Sequence, residues 1–190
     1  LRLDGRKLVL PTRVHVVESS PTLLWVSVDS SYGKWDLVSF HAPHSWQPPS
    51  VRRDWWCMFA DTLRRLASPT RELCLLGDAN AKLGSEISSA VGAHCPETQC
   101  LSGELFHQIM CEHMLYAPST FGPCVSGPCW TWRHPSGNEH RIDYAVVSLA
   151  RADVEAITLP SIDLGINRVD HVATAVRFTV HACMQAAQCT

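Results

Sequence analysis

The 190-residue chain has nearly balanced charge, with 16 basic and 18 acidic residues and a formal net charge of -2. Because domains cluster at about 100–200 residues, we expect one domain that spans residues 1–190. Hydrophobic residues make up 46% of the chain, which suffices for a core and excludes a disordered protein. The charge balance also excludes a protein that coats nucleic acid, so any polyanionic partner must meet a local basic patch or a metal ion.

The nine cysteines favour free thiols over a metal site. Some lie in apolar patterns such as Leu73–Leu76, where a free cysteine behaves as a small hydrophobic residue. A zinc site could be assembled from Cys95, Cys100, Cys124 and Cys129, but their spacing is not that of a zinc knuckle and no matched histidine pair follows. We therefore predict reduced thiols, no zinc, and an intracellular protein of the cytoplasm or nucleus.

Neither a membrane span nor a signal peptide is predicted. No apolar run approaches the roughly 18 residues that a membrane helix needs. The first residues, Leu1–Arg6, carry a charge at every second or third position, unlike a signal peptide. The pattern of residues leaves the oligomeric state open.

The first half of the chain is typical of strands joined by short turns. Runs rich in valine and leucine are separated by prolines and by small polar residues, which favours antiparallel pairing of neighbouring strands. The predicted strands are Arg6–Leu10, Arg13–Glu18, Thr22–Asp29 and Trp35–His41.

Two amphipathic helices are predicted after these strands. The first follows Ser50, a suitable N-cap, and apolar residues recur at every three or four positions. The second covers Ser102–Leu115. The side chains expected to face the core are Val51, Trp55, Met58, Thr62 and Leu66 in the first helix, and Leu105, Ile109 and Met114 in the second.

Further strands alternate with these helices and complete an α+β pattern. A strand at Glu72–Gly77 precedes a loop over residues 84–100 that we expect to be exposed. The remaining predicted strands are Trp130–Trp132, Ile142–Val147, Val154–Thr158 and Val172–Val180.

Polar residues end or interrupt four of the apolar strands, and sites are often built at the rim of a sheet. In Gly77–Asn80, a period of two places Asp78 and Asn80 on one side of an extended backbone, where they could activate and orient a water molecule. The alternative is an ordinary Asx turn that closes the strand.

The other three segments also allow two interpretations each. In His41–His44 a histidine could donate a proton to a leaving oxygen, or simply lie in a surface loop. In Arg141–Tyr144 the aspartate could orient a histidine, or pair with the arginine at a solvated strand start. Asp170–His171 could bind a metal and a phosphate, although such a dipeptide also occurs by chance.

The order of the four segments resembles the endonuclease/exonuclease/phosphatase superfamily. That family has (His/Tyr)-x-Pro-(Asn/His), Gly-Asp-x-Asn, Arg-(Ile/Leu)-Asp-(Tyr/His) and Ser-Asp-His in this order. Here the matching segments are His41–His44, Gly77–Asn80, Arg141–Tyr144 and Val169–His171, and the likeness runs from about Arg6 to Val180. Two further segments, Thr131–Gly137 and Ser119–Phe121, are similar to the endonuclease domains of non-LTR retrotransposons.

The resemblance implies a four-layer α/β/β/α sandwich of two mixed sheets and hydrolysis of phosphodiesters with Mg²⁺ or Mn²⁺. It implies roles for seven residues. Asp170 would bind the metal, Asp78 would activate water oriented by Asn80, and Asp143 would hold His171 against the phosphate. His41 would serve the leaving group, and His44 would bind a phosphate oxygen.

The same resemblance implies DNA as the partner, and the basic residues near the expected rim are candidates for phosphate contacts. These are Lys82, Arg133, Arg141 and Arg168, although a solvated charge is the alternative for each. Trp46 and Trp132 could stack on bases, although tryptophan more often anchors a core.

Two departures from the family pattern bear on activity. Val169 stands where the family usually has serine. The family's N-terminal segment, with the first strand and a metal-binding glutamate, has no match here, and Glu18 lies in an unrelated turn context. We therefore expect an N-terminally incomplete domain, lacking the first strand or strands, with weakened or no activity. The alternatives are a phosphodiesterase or phosphatase acting on lipid or inositol phosphates, and a non-catalytic remnant.

Overall fold

The computed structural model describes residues 2–3, 6–7, 13–30, 33–122, 125–148, 154–160 and 170–178. Within these ranges, no helix has the length and apolar character needed to cross a membrane. The elements in chain order are β1 (Arg2–Leu3), β2 (Arg6–Lys7), β3 (Val14–Ser20), β4 (Leu23–Ser30), β5 (Gly33–His41), α1 (Pro49–Leu66), β6 (Glu72–Asp78), α2 (Leu101–Glu112), β7 (Val125–Ser126), β8 (Trp132–Arg133), β9 (Glu139–His140), β10 (Asp143–Val147), β11 (Val154–Leu159) and β12 (Ala173–Phe178).

The central element is a mixed five-stranded sheet with the order β10-β6-β5-β4-β3. Strands β3, β4 and β5 pair antiparallel, as the short turns between them predict. Strand β6 lies parallel to β5, and the connection between them contains α1. Strand β10 then pairs antiparallel with β6. The carboxyl ends of β5 and β6 and the amino end of β10 therefore meet at one rim.

One face of this sheet is covered by α1 and α2. Trp56, Phe59 and Leu63 of α1 and Phe106 of α2 are fully buried and pack on inward side chains such as Phe40. Burying a side chain of this size contributes about 1.5–3 kcal/mol, so this aromatic cluster is a main source of stability.

The predicted inward stripes of both helices were partly wrong. Val51 and Met58 are 43% and 42% exposed. The buried face of α1 is instead the neighbouring one, where the larger side chains of Trp56 and Phe59 pack on the core. Met114 is 87% exposed because α2 ends at Glu112, before the predicted end at Leu115. Helix α1 begins at Pro49, with Pro48 rather than Ser50 at the N-cap.

The opposite face packs against a second, three-stranded sheet with the order β12-β11-β7. Alternation along β6 sends Leu75 toward the helices and Cys74 toward the second sheet, where Cys74 packs with Val147 and Val154. The predicted α+β fold with two packed mixed sheets is confirmed. Of the predicted helical layers, the described part of the chain shows the one formed by α1 and α2 against the five-stranded sheet.

The loop over residues 84–100 was predicted to be exposed, but its centre is buried. Ala90 and Val91 are fully buried, and backbone hydrogen bonds to Ala117 and Thr120 tie the loop down. Its apolar residues fill the space beside α2, which explains why so long a segment without regular secondary structure keeps a fixed path.

A disulfide joins Cys95 to Cys129, so the predicted reduced state is wrong for this pair. The buried side chain of Arg141 donates hydrogen bonds to the backbone carbonyls of His94 and Cys129, and this shared partner draws the two loops together. Among the residues that the structure describes, Cys57, Cys74, Cys100 and Cys111 are free, as predicted.

Close contact between β5 and β6 sets the position of the rim. Gly77 faces Phe40 across the parallel pair, and a Cβ atom at Gly77 would collide with the carbonyl oxygen of Phe40. The next pair in the register is His41 with Asp78. The absence of a side chain at Gly77 therefore lets these two polar residues stand side by side.

We expect Gly77→Ala to lower the free energy of unfolding by about 1–3 kcal/mol, the usual cost of forcing extra volume into a packed site. Denaturant unfolding would measure the loss. The matched control is Gly122→Ala, where the nearest atom to a new Cβ is Nδ1 of His94 at 3.4 Å. Equal stabilities of the two variants would contradict the close β5–β6 contact.

Candidate active site

Three polar side chains from separate parts of the chain meet at this rim. Asp78 ends β6, and Asp143 begins β10 directly opposite it in the antiparallel register. His171 precedes β12, and its Nδ1 lies 3.0 Å from Oδ2 of Asp143. One ligand atom from each of the three residues lies within 4.8 Å of the other two. The structure thus brings together residues that are up to 93 positions apart in the sequence.

Thr131 holds the start of β10 in place. Its side chain is buried, and its Oγ1 accepts hydrogen bonds from the backbone N–H groups of Ile142 and Asp143, both at 3.0 Å. Its backbone carbonyl accepts a hydrogen bond from Val172, next to His171. Thr131 therefore fixes Asp143 and His171 relative to each other. The sequence patterns did not single out this threonine for such a role.

His41 lies on the other side of Asp78. Its Nε2 is 3.7 Å from Oδ2 of Asp78, and its side chain is 55% exposed. The ring of His44 packs against that of His41 at 5.5 Å, and Trp46 packs against His44 at 5.4 Å. Trp46 is 80% exposed. The rings of His41, His44 and Trp46 therefore form a row that extends from Asp78 to the exposed indole of Trp46.

Asn80 does not continue the extended backbone that a period of two assumed. Its φ is +45°, and its backbone N–H donates a 2.8 Å hydrogen bond to Oδ1 of Asp78, so an Asx turn closes β6. Its side-chain Nδ2 donates to the carbonyl of Ala42. The turn gives Asp78 a fixed partner and ties the end of β6 to the end of β5.

Asp170 lies beside the acidic group rather than in it. Its Oδ2 accepts a 3.1 Å hydrogen bond from Nε1 of Trp132, and its backbone carbonyl accepts one from Arg133. The predicted metal ligand is exposed. Trp132 is half-buried, and it also forms an isolated β-bridge with His171. Trp132 thus orients the Asp170–His171 segment, which its position in the sequence alone could not reveal.

The three described basic residues predicted to bind DNA differ in their availability. Arg133 is 55% exposed and pairs with Glu139. Lys82 is 36% exposed, with its Nζ 3.4 Å from Nε2 of His140. Arg141 is buried with 5% exposure, and its guanidinium donates to backbone carbonyls. Because of this burial, the guanidinium of Arg141 is not exposed at the surface where DNA could contact it.

Arg168 and Val169 lie outside the described residues.

Glu97 is a residue that the sequence patterns missed altogether. Its two carboxylate oxygens accept hydrogen bonds from the backbone N–H of Arg141 and from Nδ1 of His140, both at 2.7 Å. The carboxylate therefore anchors the segment that leads into β10. Its place in an apparently irregular loop carried no signal for this role.

The proximity of the two carboxylates changes the protonation of the group. Burial and the neighbouring charge of Asp143 raise the pKa of Asp78. The hydrogen bond to Asp143 raises the pKa of His171 above the usual imidazole range. Asp78 and His171 therefore both hold a proton more readily than the same groups would in water.

A divalent cation fits this donor set. The carboxylates of Asp78 and Asp143 face each other at the rim, and Asp170 has a second carboxylate oxygen besides the one bonded to Trp132. Mg²⁺ and Mn²⁺ prefer oxygen ligands, and bound cations reverse the protonation that such crowding otherwise favours. Asp78, Asp143 and His171 thus form a group that could hold a cation.

We expect Asp143→Asn to lower the pKa of His171 toward its usual value, because the hydrogen bond that His171 donates to Asp143 is the largest cause of the shift. Histidine signals followed by NMR during a pH titration, in buffer with a chelator, would measure it. Asp170→Asn is the matched control and should change the pKa less, since the charge of Asp170 raises the pKa of His171 less than Asp143 does. An unchanged pKa in Asp143→Asn would contradict the pairing.

The same shift has a consequence for stability. Because the folded state raises the pKa of His171, it binds the proton more tightly than the unfolded state does. The stabilisation is complete below the unfolded pKa of about 6.5 and is lost as the pH rises through the higher folded pKa. Its loss in that range should be smaller in Asp143→Asn.

The chain resembles known proteins in structure but not in sequence. No protein-family model matches the chain, and a search of curated proteins finds no match. A variant of the 3′ phosphatase NExo from Neisseria, bound to a product DNA hairpin, superimposes with a TM-score of 0.64 at 16% identity, over 90% of this chain and 72% of that one.

Two further solved structures share the architecture. The endonuclease domain of TRAS1, a telomere-specific non-LTR retrotransposon, gives a TM-score of 0.58 at 13% identity, over 87% of this chain and 68% of that one. A beta toxin variant from Staphylococcus aureus with bound magnesium ions gives 0.57 at 9% identity, over 83% and 58%. At these identities the likeness concerns the fold alone, and this chain shares the fold of these three proteins.

Proposed function

We propose that this chain is a divalent-cation-dependent phosphodiesterase that cleaves DNA in the manner of a retroelement endonuclease. The observation that carries the proposal is the pairing of His171 with Asp143 directly opposite Asp78 at the sheet rim. A carboxylate–imidazole pair beside a second carboxylate supplies the groups that water attack on a phosphodiester needs.

Asp143 orients His171 in this mechanism. Its Oδ2 accepts a hydrogen bond from Nδ1 of His171, which leaves Nε2 of the imidazole for the substrate. Because the pKa of His171 is raised, its imidazole is protonated in a larger fraction of molecules near neutral pH. The imidazolium would stabilise the negative charge that develops on the phosphate oxygens.

Asp78 would accept the proton of the attacking water. A carboxylate with a raised pKa is a stronger base, and Asp78 has such a pKa because it is buried next to Asp143. The Asx turn to Asn80 keeps one carboxylate oxygen, Oδ1, directed at the backbone and leaves Oδ2 for the water. Asp170 would hold a bound Mg²⁺ or Mn²⁺, which would supply Lewis-acid polarisation of the phosphate beside the negative charges of Asp78 and Asp143.

His41 would protonate the leaving oxygen. Its ring is 55% exposed and stands beside Asp78, so it can reach both the reacting centre and solvent. His44 packs next to it and would contact a neighbouring phosphate oxygen. The two histidines and Asp78 thus supply a proton donor and a proton acceptor within one short segment of the rim.

DNA as the substrate is supported by surface features and by the structural neighbours. The NExo structure holds a DNA hairpin, and TRAS1 belongs to a non-LTR retrotransposon. Arg133 presents an exposed guanidinium next to Trp132, and Lys82 lies near His140 at the same end of the sheet. These cations would meet the phosphates flanking the cleaved bond.

In keeping with the expected incomplete domain, we expect the chain to nick supercoiled plasmid slowly and only when Mg²⁺ or Mn²⁺ is present. Asp143→Asn should nick at least about 100-fold more slowly still, because His171 loses its orienting partner. Gel separation of nicked from supercoiled DNA measures the rate. Asp61→Asn is the matched control, since Asp61 is an exposed residue of α1 that pairs with Arg64. Comparable nicking by both variants, or nicking in the presence of a chelator, would contradict the proposed chemistry.

We expect Trp46→Ala to weaken DNA binding about 10-fold, in line with the value of one base stacked on an aromatic side chain. Hydrolysis of a small diester such as bis(p-nitrophenyl) phosphate should be unchanged, because the rings of His44 and His41 separate Trp46 from Asp78. Fluorescence anisotropy with labelled DNA gives the affinity. Ile87→Ala removes another exposed apolar side chain, and it should leave both properties unchanged. A loss of small-diester hydrolysis in Trp46→Ala would contradict a role limited to DNA contact.

A further inference from the structure

A second group of metal-ligating side chains lies outside the candidate active site. His94 and Cys95 belong to the loop between β6 and α2, and Cys129 belongs to the segment before β8. One ligand atom from each lies within 4.8 Å of the other two. The proposed hydrolysis uses none of the three residues.

The imidazole faces both sulfur atoms. Nε2 of His94 is 3.6 Å from Sγ of Cys95 and 3.5 Å from Sγ of Cys129. In a tetrahedral zinc site with Zn–S bonds of about 2.3 Å and Zn–N bonds of about 2.0–2.1 Å, the nitrogen and sulfur atoms are about 3.5 Å apart. His94 therefore stands at the distance from each sulfur that a shared metal ion requires, and reduction of the disulfide would let the two bonded sulfurs separate around the ion.

We infer that His94, Cys95 and Cys129 bind a zinc ion when the disulfide between the two cysteines is reduced. Two thiolates and an imidazole suit zinc, whereas Mg²⁺ prefers oxygen ligands. Cys95 is exposed and the other two residues are half-buried, so a water molecule can complete four-fold coordination. The group is thus separate in place and in ligand type from the carboxylates of the rim.

The site differs from the cysteine quartet that the sequence spacing offered. Cys100 is not part of the group, and its Sγ accepts a hydrogen bond from the backbone N–H of Lys82 at 3.4 Å. Cys124 lies outside the described residues. The donor that the spacing could not reveal is His94, which directly precedes Cys95 and turns its ring toward Cys129.

Metal binding here would brace the candidate active site. Arg141 donates hydrogen bonds to the carbonyls of His94 and Cys129, and Asp143 follows two residues later at the start of β10. Cys129 also lies two residues before Thr131, which holds the backbone of Asp143. A metal ion bound to the reduced protein would keep these loops joined, as the disulfide does in the structure.

The test uses Co²⁺, which replaces zinc and gives an intense thiolate-to-metal absorption band. A phosphine first reduces the disulfide to two thiols and becomes the phosphine oxide, with its oxygen taken from water. We expect one Co²⁺ per reduced chain with this band, and displacement of Co²⁺ by Zn²⁺. Cobalt on the carboxylates of the rim would give no thiolate band, so binding there is distinguishable.

Cys129→Ser and His94→Ala should each weaken Co²⁺ binding at least about 10-fold, because a lost direct ligand costs no less than a lost supporting partner. Cys57→Ser changes an exposed free cysteine and serves as the matched control. Circular dichroism establishes that each variant is folded, and Cys95→Ser replaces any that is not. Absence of the thiolate band in the reduced chain, or an unchanged affinity in both ligand variants, would overturn the inference.

Discussion

The pairing of β6 with β10 is the constraint on which the rest of the site depends. Its register sets Asp78 opposite Asp143, and the parallel register of β5 with β6 sets His41 beside Asp78. Hydrogen bonds continue past the strand ends, from Ala42 to the carbonyl of Asp78 and from Ala79 to the carbonyl of Ile142. Two carboxylates are thereby held at the rim despite their mutual repulsion. The apolar faces of the sheet supply the stabilisation that offsets this unfavourable placement.

A shell of partly buried polar contacts explains why the rim keeps its shape. Glu97 accepts a hydrogen bond from the backbone N–H of Arg141, and Thr131 accepts one from that of Asp143. The side chain of Arg141 donates to backbone carbonyls of two loops. These contacts come from segments without regular secondary structure, so their function is positional. Removing any one of them leaves a buried polar group without its partner, which typically costs about 1–3 kcal/mol.

Sequence patterns predicted the strands and helices well because period-two and helical spacing report burial directly. The ordered motifs also identified the residues that meet at the rim. The Asx turn at Asn80, the burial of Arg141 and the contribution of Thr131 depend instead on tertiary contacts between distant segments. The residues around His94 and Glu97 in the sequence do not predict a role for either one, because each contacts its partner only when the loops fold together.

Manganese binding tests the central claim most directly, because paramagnetic Mn²⁺ broadens the NMR signals of nearby nuclei and needs no turnover. Mn²⁺ prefers oxygen ligands, so it should select the carboxylates over the cysteine group. We expect that, among the ten histidines, the ring signals of His171 and His41 broaden first as Mn²⁺ is added. In Asp78→Asn, the same broadening should require higher Mn²⁺ concentrations. Earlier broadening of His94 or His107, or equal broadening of all the histidines, would contradict a cation site at the rim.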